Sequence, residues 1–267
     1  MKSLLTIKKP TPTNFCPRSS ALPKVVVEGI KKTLGGILTL QKINIEAEDR
    51  AVSGILGPSG CGKSTLFNII AGLMRPDRGN VSIGGEVVTG NSGLTSYMRQ
   101  KDLLLPNLNV LDNVSIPLVL KGMPKKKARL EAERHLGTFG LEGFGNYYPG
   151  QLSGGMRQRA ALLRTYLFSS GIWLLDEPFA SLDAITKRKM HTWLLRVLDQ
   201  FQPTVLFITH DVDEALYLCD KVYVLSECPT VVKLEVEIPF SRPHHSHTIV
   251  DPAYGPLRDA IMDALSI

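Results

Sequence analysis

The run "GPSGCGKST", Gly57 to Thr65, limits this chain to one group of folds. It fits G-x-x-x-x-G-K-[ST] at Gly57, Gly62, Lys63 and Ser64, a loop that wraps phosphate. "AVSGIL" before it reads as a buried strand. "KSTLFNIIAGL" after it reads as a helix, stopped near Pro76 and Gly79. Glycines let the backbone approach the phosphates, and a helix N-terminus offers free N–H groups. Gly57, Pro58, Ser59, Gly60, Cys61, Gly62, Lys63, Ser64 and Thr65 are therefore candidate nucleotide-binding positions. Lys63 supplies a point charge for the β- and γ-phosphates, and Ser64 a hydroxyl for Mg²⁺.

Such a loop needs an acidic partner. "IWLLDEP" reads as a buried strand ending at Asp176, which an open α/β sheet places at its ligand-binding edge as a candidate Mg²⁺ ligand. Glu177 follows, placed to polarise a water attacking the γ-phosphate. A helix-start acid before Pro178 explains one carboxylate but not two adjacent ones. "TVLFITH" is a second buried strand, and its last residue, His210, shares that edge as a candidate γ-phosphate contact. Gln100, in "SYMRQKD", follows a short strand-like piece, and its amide is a candidate for Mg²⁺ or the lytic water. The catalytic candidates are Glu177, His210, Lys63 and Gln100, and the metal candidates Ser64, Gln100 and Asp176.

The rest of the chain supports an α/β class. Residues 1–24 are rich in Pro, Thr, Ser and Lys without apolar period and read as a disordered extension. "VVVE" and "INIEA" read as strands, and "VSIGGEVV" as a hairpin across Gly84 and Gly85. Residues 101–167 turn mostly helical, with Pro124 expected at the first helical position of "PKKKARLEAERHL" and its lysine run read as a solvated face. A helix from about Asp183 to Gln200 joins the strands ending at Asp176 and His210, which implies a parallel sheet. Residues 241–267 read as a tail, with His244 to His247 an exposed polar stretch rather than a metal site.

At 267 residues the chain buries a real core, and no charge-free stretch is long and apolar enough to span a bilayer. The short patch "SLLTI" makes a poor secretory signal, so the expected location is the cytoplasm. Cys16, Cys61, Cys219 and Cys228 lack metal-site spacing, and no disulfide framework is expected. A net charge of +6 suits nucleic acid and an anionic membrane face equally, so charge alone does not choose a partner.

A second stretch, "QLSGGMRQR", Gln151 to Arg159, also has the local form of a phosphate site, a hydroxyl and two glycines opening a helix. "GPSGCGKST", Gln100, "LSGGMRQR", "IWLLDEP", "SLD" and "THD" stand in the order found in ATP-binding-cassette (ABC) ATPases, and from about Val25 to Glu237 the chain resembles that family. The resemblance implies a P-loop, RecA-like core with an antiparallel β-subdomain and an α-helical subdomain inserted after Gln100. It implies an ATPase domain over residues 25–240, with residues 101–167 as the inserted subdomain. It further implies that two cassettes face each other head to tail, each ATP lying between one P-loop and the partner's LSGG segment. Ser153, Gly154, Gly155 and Asp183 are then candidate nucleotide contacts, and one chain carries two cradles because it gives half of each of two sites.

"QKDLLLPNLNVLDNV", "YPGQLSGGMRQR" and "EIPFSRPH" are similar to importer ATPases of the nitrate, sulfonate and taurine type. "QKDLLLP" is also similar to relatives that move a pyrimidine precursor of thiamine, a likeness that carries no assignment by itself. That branch implies ATP and Mg²⁺, a second copy of the chain, two permease subunits and an extracytoplasmic solute-binding protein, at the cytoplasmic face of the membrane, with no nucleic acid. The alternative is a soluble cassette ATPase acting on nucleic acid or ribosomes, which usually has two cassettes or a long coiled-coil insertion. Apolar residues of "LLLPNLNVL", Leu104 and Leu108 among them, are candidates for a permease groove, with plain core as the alternative for most of them. The aromatic that often stacks on adenine falls near Leu34, where this chain has none.

Overall fold

The computed structural model of the chain describes residues 24–168, 170–240 and 251–265. The predicted N-terminal extension, apart from Lys24, and His244 to His247 lie outside the described residues.

The chain begins with a hairpin of β1 (Val25–Leu34) and β2 (Ile37–Ala47), in which Val25 pairs with Ala47 and Leu34 with Ile37. Strand β3 (Val52–Leu56) then runs into the glycine loop and α1 (Lys63–Ile70). Next come β4 (Arg78–Ile83), β5 (Glu86–Val87) and β6 (Ser96–Met98). The β4–β5 turn is the expected one. Gly84 and Gly85 have φ of 59° and 87°, the left-handed pair a tight two-residue hairpin requires.

Three helices follow, α2 (Val110–Leu120), α3 (Lys125–Leu136) and α4 (Gly154–Phe168). Asn109 starts α2 by accepting from Asp112 N. Pro124 stands one place before its expected position, as the cap of α3 with an extended ψ of 134°, where its missing N–H costs nothing. The chain then alternates through β7 (Ile172–Asp176), α5 (Ala184–Phe201), β8 (Thr204–Ile208), α6 (Val212–Leu218) and β9 (Lys221–Leu225). It ends with β10 (Val232–Glu237) and α7 (Tyr254–Leu265). Helix α7 falls in the segment read as a tail. It buries Ile261 and ties Tyr254 Oη to Asp213 of α6 at 2.9 Å.

Two sheets result. One is antiparallel, in the order β2-β1-β4-β5. The other runs β10-β9-β3-β8-β7-β6, parallel except for its edge strand β10. Strands β3, β7 and β8 are buried throughout, because alternate residues serve different cores. Val52, Trp173, Leu175, Val205 and Phe207 join the core built with α2 to α7. Ile55, Leu174, Leu206 and Ile208 join Leu66 and Phe67 of α1 and the inner face of the β1–β2 hairpin. The two sheets are also linked by a buried phenol. Tyr223 of β9 accepts from Glu46 N at 3.0 Å and donates to Glu46 O at 2.9 Å.

Leu104, open between groove lining and core, belongs to the larger core, while Leu103 and Leu105 beside it are exposed. The β6-to-α2 connection turns at Leu103, whose φ is 49°, and sends only the middle leucine inward. Cys61, Cys219 and Cys228 are free thiols. Among the described residues no helix is long and apolar enough to cross a membrane.

Candidate active site

The glycine loop is shaped by what lies behind it. Gly62 has φ of 103°, and a Cβ there would meet Leu40 Cδ2 and Thr39 Cγ2 at 2.9 Å. Only glycine fits, so the loop turns tightly over the start of β2. Gly62 also caps α1 without a side-chain hydrogen bond, which leaves first-turn N–H groups facing outward. Lys63 is buried in the loop, its Nζ donating to the carbonyl oxygens of Gly57 at 2.7 Å and Pro58 at 2.8 Å. An ammonium thus sits beside outward-facing amides, the arrangement that suits a polyphosphate.

Strands β3, β8, β7 and β6 are neighbours, and the C-terminal ends of this parallel set bring the remaining groups to the same edge. Asp176 is buried at the end of β7. Desolvation pushes its carboxyl above the ordinary value, opposed by hydrogen bonds from Ser64 and Tyr97. Tyr97 donates to Asp176 Oδ2 at 3.1 Å, and burial, with the Asp176 charge, raises its phenol. Ser64, Asp176 and Tyr97 therefore form one cluster of hard oxygen groups.

Glu177 turns the chain sharply. Its φ is 45°, a left-handed conformation rare outside glycine, and its N–H donates to Ile208 O at 3.0 Å. That turn points the side chain at two others. Gln100 Nε2 donates to Glu177 Oε2 at 3.1 Å, and His210 Nδ1 lies 3.4 Å from the same oxygen. Lys63, Ser64, Gln100, Asp176, Glu177 and His210 thus stand together along one edge.

Ser153, Gly154, Gly155 and Asp183 form a second group. Ser153 Oγ accepts from Met156 N at 3.3 Å as α4 begins. A Cβ on Gly154 would lie 3.2 Å from Leu182 Cδ2, and one on Gly155 3.2 Å from Thr186 Cγ2, so this helix start rests against the start of α5. Asp183 caps α5, accepting from Ile185 N at 3.1 Å and Thr186 N at 3.0 Å. Among the described residues no hydrogen bond or ion pair joins this group to the P-loop. Leu34 is half-buried at the end of β1, opposite the exposed Ile37. Tyr97 is the member of the site that sequence reasoning missed. Its one available signal was a polar-tipped aromatic in a short strand three residues before Gln100.

Residues 40–180 match the family model described as ABC transporter. The formylaminopyrimidine import ATP-binding protein ThiZ of Halalkalibacterium halodurans is 44% identical over 200 residues, 75% of this chain and 78% of its own. The taurine import ATP-binding protein TauB of Pseudomonas aeruginosa is 40% identical over 214 residues, 78% of this chain and 81% of its own. The dimeric structure of MJ0796, a bacterial ABC transporter cassette, superposes with a TM-score of 0.70 at 30% identity, covering 81% of this chain and 100% of that one. Import proteins among these relatives turn the choice away from a cassette acting on nucleic acid or ribosomes. By motif, fold and likeness the chain belongs to the ABC transporter family, as an ATP-binding, ATP-hydrolysing subunit of the importer kind.

Proposed function

We propose that two copies of this chain meet head to tail and hydrolyse ATP beneath two permease subunits, at the cytoplasmic face of a membrane. The observation that carries the catalytic reading is the sharing of Glu177 Oε2 between Gln100 and His210, one residue after Asp176. Glu177 orients a water and takes its proton as the water oxygen attacks the γ-phosphorus. The bond from that phosphorus to the β–γ bridging oxygen breaks, and ADP and phosphate leave. His210 holds the γ-phosphate, and Gln100 keeps Glu177 in line. Lys63 and the loop amides bind the β- and γ-phosphates. Ser153, Gly154, Gly155 and Asp183 serve the nucleotide on the partner's P-loop.

The donor set fits Mg²⁺, because the Ser64 hydroxyl, the Asp176 carboxylate and the Gln100 amide oxygen are all hard oxygens. Asp176 is also a buried carboxylate whose charge desolvation disfavours, so a cation beside it is welcome. When bound, Mg²⁺ neutralises charge on the phosphate oxygens.

Residues 25–240 act as the ATPase unit, with residues 101–167 as its helical subdomain. The permease seat is a cavity of about 340 Å³ lined by Leu73, Tyr97, Pro117, Arg164 and Phe168, where α1, β6, α2 and α4 meet. The solute is small, of the sulfonate, nitrate or pyrimidine kind, delivered by an extracytoplasmic binding protein. The names of ThiZ and TauB, for a formylaminopyrimidine and for taurine, support the pyrimidine and sulfonate readings. Glu177→Gln tests the catalytic reading. The variant binds ATP, loses turnover, and elutes as a dimer on sizing chromatography with Mg-ATP. Hydrolysis at the wild-type rate overturns the role of Glu177.

A further inference from the structure

Glu214 is a buried carboxylate to which the proposed mechanism gives no task. It lies in the first turn of α6, four residues after His210. Its Oε1 is hydrogen-bonded to His191 Nε2 at 2.7 Å and lies 3.7 Å from Lys187 Nζ. Its Oε2 accepts from the Thr209 hydroxyl. Lys187 also donates to Asp211 Oδ2 at 2.8 Å. Asp211 in turn caps α6 by accepting from Glu214 N at 3.1 Å, and its own N–H donates to Thr209 Oγ1 at 3.1 Å.

Both neighbours of His210 are therefore held, Thr209 by Glu214 and Asp211 by Lys187. Lys187 and His191 stand four residues apart on one face of α5. The His191 ring packs between Phe179 and Tyr217, with ring centroids at 5.3 and 6.0 Å. The first turns of the same helix lie against the LSGG segment, since a Cβ on Gly155 would be 3.2 Å from Thr186 Cγ2 and 3.8 Å from Met190 Sδ. A buried charge network of this kind is a poor stabiliser, because well-packed apolar side chains of the same volume often do as well or better. What it provides is a fixed geometry.

We infer that Glu214 is a positioning residue for His210. With Lys187 and His191 it fastens the loop carrying His210 to α5, so the γ-phosphate contact at one nucleotide is set by the helix that buttresses the LSGG segment serving the other. The inference rests on the reading of His210 as a γ-phosphate contact.

The test is a double-mutant cycle on the full chain, with kcat and KM for Mg-ATP and the affinity for a fluorescent ATP analogue measured for each variant. Glu214→Ala lowers kcat by about tenfold to a hundredfold, the cost of misplacing a catalytic group by about 1 Å. ATP affinity stays within about twofold, because the P-loop is untouched. Glu214→Gln keeps an acceptor for Thr209 and restores most of the rate. In a His210→Ala background, Glu214→Ala costs nothing further. If Glu214→Ala does not fold, His191→Ala replaces it in the same cycle. Multiplicative losses in the double variant, or ATP affinity falling in step with kcat, overturn the inference alone. A His210→Ala variant at the wild-type rate overturns the reading of His210 and the inference with it.

Discussion

The phenol of Tyr97 donates to Asp176 Oδ2 at 3.1 Å, and the same ring lines the cavity between α1, β6, α2 and α4. One side chain is shared by the proposed permease seat and the proposed metal site. Tyr97→Phe keeps the ring in the cavity and edge-on to Phe67, whose centroid is 5.8 Å away, but removes the hydroxyl. Asp176 then lacks one of its two side-chain donors while remaining buried. The expected loss is about 1–3 kcal/mol, the usual cost of an unpaired buried acceptor, read by urea unfolding. A change under about 0.5 kcal/mol means that water or Ser64 takes over the bond.

The split site makes a prediction about mixtures. Ser153→Arg places bulk and charge where the partner's γ-phosphate is proposed to lie. The variant still binds ATP at its own P-loop, and hydrolysis collapses. Mixed with Lys63→Ala, it forms heterodimers in which one site keeps both cradles and the other has neither. ATP-dependent dimerisation returns in the mixture, which light scattering detects. Unimpaired hydrolysis by Ser153→Arg alone means that the LSGG segment does not face a nucleotide.

Base recognition is expected to be weak. Leu34 ends β1 beside a turn of Gly35 and Gly36, opposite the exposed Ile37, so only aliphatic contact is on offer there. Stacking on an aromatic ring contributes about 1–3 kcal/mol per base where it has been measured. ATP and GTP therefore compete almost equally for the wild-type chain. Leu34→Tyr tightens ATP binding, by about tenfold if roughly 1.4 kcal/mol of stacking is gained. Competitive titration of a fluorescent nucleotide checks both statements. A strong ATP preference that the tyrosine leaves unchanged means that another residue already holds the base.

Acid stability has a local contributor between two helices. Asp112 of α2 lies 2.7 Å from Arg129 Nη1 and 3.1 Å from Lys125 Nζ of α3. Burial works to raise its carboxyl, but these two cations outweigh it and hold the group below its ordinary value of 3.8. A carboxyl lowered on folding stabilises the fold above its unfolded value, and that contribution disappears as pH falls through the folded value. Asp112→Asn is therefore less stable than wild type by about 1 kcal/mol at pH 7, and the gap closes below about pH 4. Urea midpoints measured from pH 3 to 7 follow it.

The parts that the sequence made legible are those whose physics is local. The phosphate cradle is nine consecutive residues, and β3, β7 and β8 read as apolar runs because both their faces are buried. Tyr97 and Glu214 are different. Their meaning lies in partners 79 residues away at Asp176 and 23 residues away at His191, which no pattern along the chain reveals. Helix α7 was hidden by Gly255 and Pro256 in its first turn, and its apolar face of Tyr254, Leu257 and Ile261 has meaning only once the larger core is there to receive it. Leu104 stayed open between groove and core for the opposite reason. In "LLLP" neighbouring leucines look alike, and one turn of backbone at Leu103 decides which goes inside.

The hydroxyl of Tyr223 meets both main-chain groups of Glu46, and Tyr223 is itself fully buried in β9. A side chain here does what a neighbouring strand does elsewhere, completing a ladder rung between sheets that share no strand. β9 lies directly beside β3, which feeds the phosphate loop, while Glu46 sits on the hairpin whose far end carries Leu34. That oxygen is thus one of the ties that set the pitch of the hairpin, beside the main-chain bonds of Thr230 to Thr39 and Gln41, and with it how far Leu34 stands from the phosphate loop.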